Sequence, residues 1–273
     1  MDLEHAFEGR FTDLRPEGTG GQGRVFRARR VLTKDREVTN DVVALKVFLR
    51  PGEVNLIDRE IATMMRVRHS TLANLLEYGT VTAGGGVLRY VASEWIEGMP
   101  LDRRLERGPL APAAVAAVAR DVATALGEIW RERIVHRDVN PRNVVLDAGE
   151  RKATLIDLGI AKPLDQTSVT TRGFVRGTQG YMSPEQWDGD VELTCGSDVY
   201  ALGVVMTESL AGTHPTDRDQ NELVTNRIVV ADLVPAAPAG LVQLVQRMLA
   251  PKPQHRPTPA DVAARCTKLA LTL

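Results

Sequence analysis

Hydrophobic and polar positions change rhythm close to Gly98. Before it, apolar residues come in short runs: Val25-Phe26-Arg27-Ala28-Arg29 and Val42-Val43-Ala44-Leu45-Lys46-Val47-Phe48 predict two strands, separated by a polar turn over residues 34–40. Period-two alternation places Val43, Leu45 and Val47 on one face of the second strand and Ala44, Lys46 and Phe48 on the other. Residues 55–68 space Ile57, Ile61, Met64 and Met65 as a helix does. Residues 75–81 and 87–93 read as a hairpin around Gly84-Gly85-Gly86. After Gly98-Met99-Pro100 the pattern turns helical. Residues 112–131 are rich in alanine, and 197–210 are apolar on nearly every side, which predicts a helix buried in the middle of a domain. Residues 239–249 and 259–269 supply two more helices, and strand-like runs fall at Ile134-Val135, Val144-Val145-Leu146 and Ala153-Thr154-Leu155-Ile156. The expected class is α+β: a small antiparallel β-rich lobe with one helix over residues 1–97, and a larger, mainly helical lobe over 98–273.

Bulk properties narrow the function without choosing it. A chain of 273 residues can bury a large core. Lys plus Arg (34) nearly balance Asp plus Glu (35), so nucleic acid is not an expected partner. Cys195 and Cys266 lie far apart, form no metal-ligand cluster, and suit a reduced, cytoplasmic setting. No apolar run approaches the roughly 18–20 residues of a membrane span. The first residues lack the basic start and apolar core of a signal peptide.

Candidate chemistry concentrates in a few short stretches. His136-Arg137-Asp138-Val139-Asn140-Pro141-Arg142-Asn143 sets an Asp and an Asn five residues apart, and Asp157-Leu158-Gly159 brings a second Asp nineteen residues after the first. Three hard oxygen donors held by short strands suit a Mg-bound phosphate reaction. Gly18-Thr19-Gly20-Gly21-Gln22-Gly23-Arg24-Val25 lets backbone N–H groups approach phosphate with no Cβ in the way, although a flexible hairpin would use the same glycines. Lys46 is the only lysine between Asp35 and Arg151 and lies in an otherwise apolar strand. An ammonium there must reach water at an edge or meet an anion.

Together these stretches resemble the protein kinase superfamily, in particular its bacterial, Hanks-type Ser/Thr members, from about Phe11 to Leu269. They match the His-Arg-Asp-x-x-x-x-Asn catalytic loop, the Asp-Phe-Gly metal loop, the glycine loop that precedes a strand, and the Val-Ala-Ile-Lys strand. Gly177-Thr178-Gln179-Gly180-Tyr181-Met182-Ser183-Pro184-Glu185 resembles the Gly-Thr-x-x-Tyr-x-Ala-Pro-Glu end of an activation segment, a platform for a protein substrate. The resemblance implies a bilobal protein-kinase fold, one catalytic domain, ATP with Mg2+ or Mn2+, and protein substrates. It implies that Asp138 accepts or orients the substrate hydroxyl proton, that Asn143 and Asp157 hold the metal, and that Thr178 meets Asp138. It implies that Lys46 fixes the ATP phosphates under Gly18, Gly20 and Gly23. Its partner would be a helix carboxylate, with Glu60 the choice and Glu53 and Asp58 the alternatives. Adenine would have Val25 and Ala44 above it, Val145 below it, and the backbone of Glu94 and Ile96 at its edge. Glu185 would pair with Arg256, and Asp198 would tie the apolar helix to the catalytic loop.

Two positions depart from the pattern. Asn140 stands where Ser/Thr members usually carry a Lys that neutralises the γ-phosphate. Arg142, placed like an Arg of tyrosine kinases, either substitutes for it or is a surface charge. Leu158 replaces the Phe after Asp157 and is expected to pack under Met64. Thr167, Ser168, Thr170 and Thr171 form a hydroxyl cluster which, with Arg137, resembles kinases switched on by loop phosphorylation. This implies self-association and trans-autophosphorylation at Thr170 or Thr171. Two other readings stand beside an active kinase. A nucleotide-binding pseudokinase scaffold is motivated by Asn140 and disfavoured by the joint presence of Lys46, Asp138, Asn143 and Asp157. A small-molecule phosphotransferase is disfavoured by residues 178–185.

Overall fold

The computed structural model describes residues 3–20, 23–31, 38–48, 61–62, 64–157, 177–189, 193–226 and 228–273. They fall into two units, the first drawn from Met1–Arg68 and Ala73–Ile96, the second from His69–Leu72 and the described chain from Glu97 onward.

The first unit is an antiparallel sheet of β1 (Phe11–Gly20), β2 (Gly23–Val31), β3 (Val38–Phe48), β4 (Leu75–Ala83) and β5 (Gly86–Glu94), in the order β1-β2-β3-β5-β4. Alternation along β3 decides its packing. Val43, Leu45 and Val47 are buried with Phe26, Ala28, Leu88 and Tyr90, while Ala44, Lys46 and Phe48 are half-buried on the other face. A short α1 (Leu3–Ala6), which the sequence pattern does not announce, adds Leu3 and Phe7 to this core. The rings of Phe7, Phe11 and Tyr90 meet edge to face, with centroids 5.1–5.6 Å apart. The expected helix over 55–68 is shorter at its end. Ile61 and Met64 are helical and buried, but the chain leaves the helix after Met64, and Arg68 donates to the Leu75 carbonyl at 2.6 Å.

The second unit contains a small sheet, β6 (Met99–Pro100), β7 (Val144–Leu146) and β8 (Ala153–Leu155). Its helices are α2 (Leu101–Leu105), α3 (Pro112–Arg131), α4 (Pro184–Asp188), α5 (Cys195–Ala211), α6 (Gln220–Thr225), α7 (Val230–Leu233), α8 (Ala239–Met248) and α9 (Pro259–Ala270). The all-round apolar sequence of α5 has the predicted consequence: every residue from Gly196 to Ser209 is buried. Thr194 caps its first turn through the Gly196 N–H, and Gly212, left-handed at φ 78°, ends it. α3 packs on α5, α9 and β8. Ile134-Val135 is buried but pairs in no ladder, because the next residues bend into a loop. Leu72 bridges to Leu155, whose N–H donates to the Thr71 carbonyl at 2.9 Å. Among the described residues no helix is long and apolar enough to cross a membrane.

Candidate active site

In the first unit the glycine stretch is the end of a β-hairpin, not the start of a helix. Gly18, Thr19 and Gly20 on β1 face Val25, Arg24 and Gly23 on β2. A Cβ on Gly23 would lie 2.2 Å from the Val47 carbonyl oxygen, so the strands approach too closely for any side chain there, whereas a Cβ on Gly18 meets nothing within 4 Å. Lys46 stands opposite Val25 on one side and Val91 on the other, with its ammonium 5.7 Å from the Phe48 ring centroid. Ala44 lies between Arg27 and Ser93. The Glu94 carboxylate accepts from the Asn74 N–H (3.2 Å) and side-chain amide (2.8 Å), and Trp95 N–H donates to the Val42 carbonyl at 3.3 Å. These bonds fix the path of the chain toward Ile96. Glu60, with Glu53 and Asp58, lies outside the described residues, as do Leu158 and the hydroxyl cluster.

In the second unit Val145 is buried in β7 between Pro100 and Thr154. Gly98, at φ 153°, brings its backbone against that strand, since a Cβ would lie 2.2 Å from the Leu146 carbonyl oxygen. The loop before β7 is held from behind by Asp198. Its two carboxylate oxygens accept the N–H groups of His136 and Arg137, each at 2.8 Å, with Arg137 left-handed at φ 66°. Burial pushes the Asp198 carboxyl up to about 7, against the pull of these two N–H bonds. The His136 ring accepts the Asp138 N–H through Nδ1 at 3.3 Å and reaches the Ile156 carbonyl through Nε2 at 3.4 Å.

Thr178, Asn143 and Asn140 also hold Asp138. Its Oδ1 accepts both the N–H and the hydroxyl of Thr178, each at 2.9 Å. The Asn143 amide donates to the Asp138 carbonyl at 2.8 Å and to Oδ2 at 3.3 Å. Asn140, only 2% exposed, donates to the Asp138 carbonyl at 2.9 Å and to the Thr178 hydroxyl oxygen at 3.1 Å. Its own Oδ1 accepts the Arg142 N–H at 3.0 Å and so caps the 3₁₀ turn Pro141–Asn143. Arg142 points outward: its side chain is 71% exposed, with Nε 3.8 Å from Asp102. The Ile156 N–H donates to the Asn143 carbonyl at 2.9 Å, which sets Asp157, exposed at φ 50°, next to β7.

The donor chemistry suits a magnesium ion. Asn143 commits its amide nitrogen to Asp138, which leaves the amide oxygen to meet a cation, and Asp157 adds a carboxylate.

Residues 11–266 match the protein kinase domain family. The chain belongs to that family. Its relatives include the serine/threonine-protein kinase PrkC of Bacillus subtilis (29% identical over 264 residues, 94% of this chain and 40% of that protein). Also similar are pkn2 of Myxococcus xanthus (31% over 270 residues, 94% and 32%) and PknD of Mycobacterium tuberculosis (34% over 231 residues, 82% and 32%). The chain thus spans well under half the length of these three curated relatives.

In this kinase chain the segment beyond Thr178 is anchored by residues that sequence reasoning did not find. Tyr181 donates to Glu208 on α5 at 2.6 Å, and burial, reinforced by that carboxylate, pushes its hydroxyl well above the usual range. Gln220 and His214 bond the backbone of Gly180 and Met182. Nothing in the pattern marks either residue; Gly212 and Pro215 around His214 signal only a turn. Glu185 and Arg256, paired in the expected way, meet through two bonds of 2.6 and 2.9 Å. Arg256 also donates to the carbonyls of Gly196, Ala250 and Pro251, so all five guanidinium N–H groups are used. Burial alone would raise the Glu185 carboxyl. The Arg256 guanidinium and the Ser197 hydroxyl outweigh it and hold the group below its ordinary range.

Proposed function

We propose that the chain is an ATP-dependent kinase that transfers the γ-phosphate of Mg-ATP to Ser or Thr hydroxyls of proteins, with its two units forming one catalytic domain in the cytoplasm. The observation that carries this reading is the double grip of Thr178 on Asp138, with Asn143 and Asn140 bonded to the same loop. Thr178 occupies one oxygen of the carboxylate and so orients the other, toward which an acceptor hydroxyl can turn its proton. Asp138 holds that hydroxyl in line and takes its proton as the hydroxyl oxygen bonds to the γ-phosphorus and the bond to the bridging oxygen breaks, with ADP as the leaving group. Asn143 and Asp157 supply oxygens for Mg2+ or Mn2+, which when bound neutralises charge on the phosphates. Lys46 fixes the phosphates, with Gly18, Gly20 and Gly23 giving backbone access and Glu60 as its helix partner. Val25, Ala44 and Val145 contact adenine, and the backbones of Glu94 and Ile96 bond its edge. Arg142, exposed beside Asp102, is better suited to a surface charge than to replacing the lysine that Asn140 displaces. Rate comes from positioning and electrostatics.

Copies of the chain phosphorylate one another at Thr170 or Thr171, where new phosphate pairs with Arg137. Incubation with labelled ATP and myelin basic protein tests the reading. The wild type is expected to label the acceptor and itself, with added mass mapping to the 167–171 hydroxyls, and Asp138→Asn to lose roughly 10²–10⁴-fold. Equal labelling by both proteins would refute the assignment, and self-labelling away from this loop would refute the switch.

A further inference from the structure

The backbone of Gly180 and Met182 is hung on side chains from one short stretch, residues 214–220. Gln220, fully buried, accepts the N–H groups of Gly180 (2.8 Å) and Met182 (3.2 Å) through Oε1 and donates through Nε2 to the Met182 carbonyl (2.9 Å). His214 donates from Nε2 to the Gly180 carbonyl at 2.8 Å. Its Nδ1 accepts the N–H groups of Thr216 (3.2 Å) and Arg218 (2.9 Å), which assigns the neutral tautomer with its proton on Nε2. Asp217 and Arg218 are both left-handed, at φ 46° and 68°, a strained turn that the imidazole holds together. Gly180 is glycine for this reason as well: a Cβ there would lie 2.9 Å from the Arg218 Cα.

We propose that His214 and Gln220 are positioning residues for the polypeptide acceptor, fixing the backbone two to four residues beyond Thr178 against which the acceptor chain lies when its hydroxyl reaches Asp138. This rests on the protein kinase reading above. The imidazole has to be neutral for the role, because a proton on Nδ1 would set an N–H against two backbone N–H groups. The groups that face it are Tyr181, whose ring meets it edge-on at 5.1 Å, Glu208 of α5, and Asp217 and Arg218 of its own turn. Burial outweighs the Gly180 carbonyl and Glu208 and holds the imidazole below its usual range, so the neutral form is the resting one near neutrality.

His214→Asn separates the two ends of the ring. The shorter side chain can still accept from the turn but cannot reach the Gly180 carbonyl. Its kcat/KM for myelin basic protein is expected to fall about tenfold near neutral pH, while calorimetry shows unchanged Mg-ATP affinity. The gap to wild type should narrow as pH drops from about 7 to about 5.5, because acid disables the imidazole that the variant already lacks. Gln220→Glu, which keeps the bonds into Oε1 and loses the one to Met182, should show a loss of the same kind, with its fold checked by circular dichroism. An active wild type with an indifferent His214→Asn, or a gap that does not change with pH, overturns this proposal alone. A wild type that labels nothing overturns the kinase reading and this proposal with it.

Discussion

Asn140 occupies the place where a lysine would bring a charge, and its bonds show what an amide can do there instead. It is a donor to two oxygens, on Asp138 and Thr178, and an acceptor for one N–H, on Arg142. Lysine could replace the donors but has no acceptor for the turn. Asn140→Lys is therefore expected to lower kcat several-fold, even though it adds the cation, because losing the hydrogen bond that caps the turn costs about 0.5–1.5 kcal/mol. Asn140→Asp should do at least as much harm, keeping the cap but turning a carboxylate toward the Asp138 carbonyl. Steady-state kinetics with Mg-ATP varied would check both, and an Asn140→Lys protein faster than wild type would show that charge was what the site lacked. The contacts of Thr178 with Asp138, Glu185 with Arg256 and Asp198 with the loop were legible because each residue lies in a short contiguous stretch of recognisable types. His214 and Gln220 were not, because side chains that bond only backbone leave no periodic trace.

Elements were read best where periodicity is simple. β3 alternates cleanly and α5 is apolar throughout, and both form at the expected places, although β3 starts at Val38, inside the stretch read as a turn, because pairing with Val31 extends the ladder past the alternating run. β1 was invisible because it is irregular: bulges between Thr12 and Arg15 and between Pro16 and Gly18 break the period, and Pro16 removes an N–H, which only an edge strand tolerates. The join of α4, α5 and the Pro253–His255 turn depends on one ion pair, Glu185 with Arg256, buried on both sides. Arg256→Met would leave that carboxylate buried with the Ser197 hydroxyl but no counter-charge, and urea unfolding should report a loss of about 3–5 kcal/mol. The native Glu185 carboxyl is depressed, so its contribution is complete above the ordinary glutamate value of 4.5 and is lost as pH falls through the lower native value. An unchanged denaturation midpoint in Arg256→Met would refute this account.

At the scale of the whole molecule, a two-lobe chain with β-rich and helical halves followed from the change of rhythm near Gly98. The division is less simple than one cut at 97/98, because His69–Leu72 belongs to the second unit although its flanks belong to the first. Long-range contact of that kind has no local signature, and four residues are too few to show a period. The detour has a practical consequence. A gene fragment encoding only residues 97–273 would omit Thr71 and Leu72, stripping the acceptor from the Leu155 amide and baring the outer border of β8. Naked strand borders recruit other chains, so light scattering should find that fragment clumped where the 273-residue chain stays dispersed, and a dispersed fragment would show those four residues to be expendable. Anyone dissecting this protein by truncation is cutting cloth through a seam that is stitched twice.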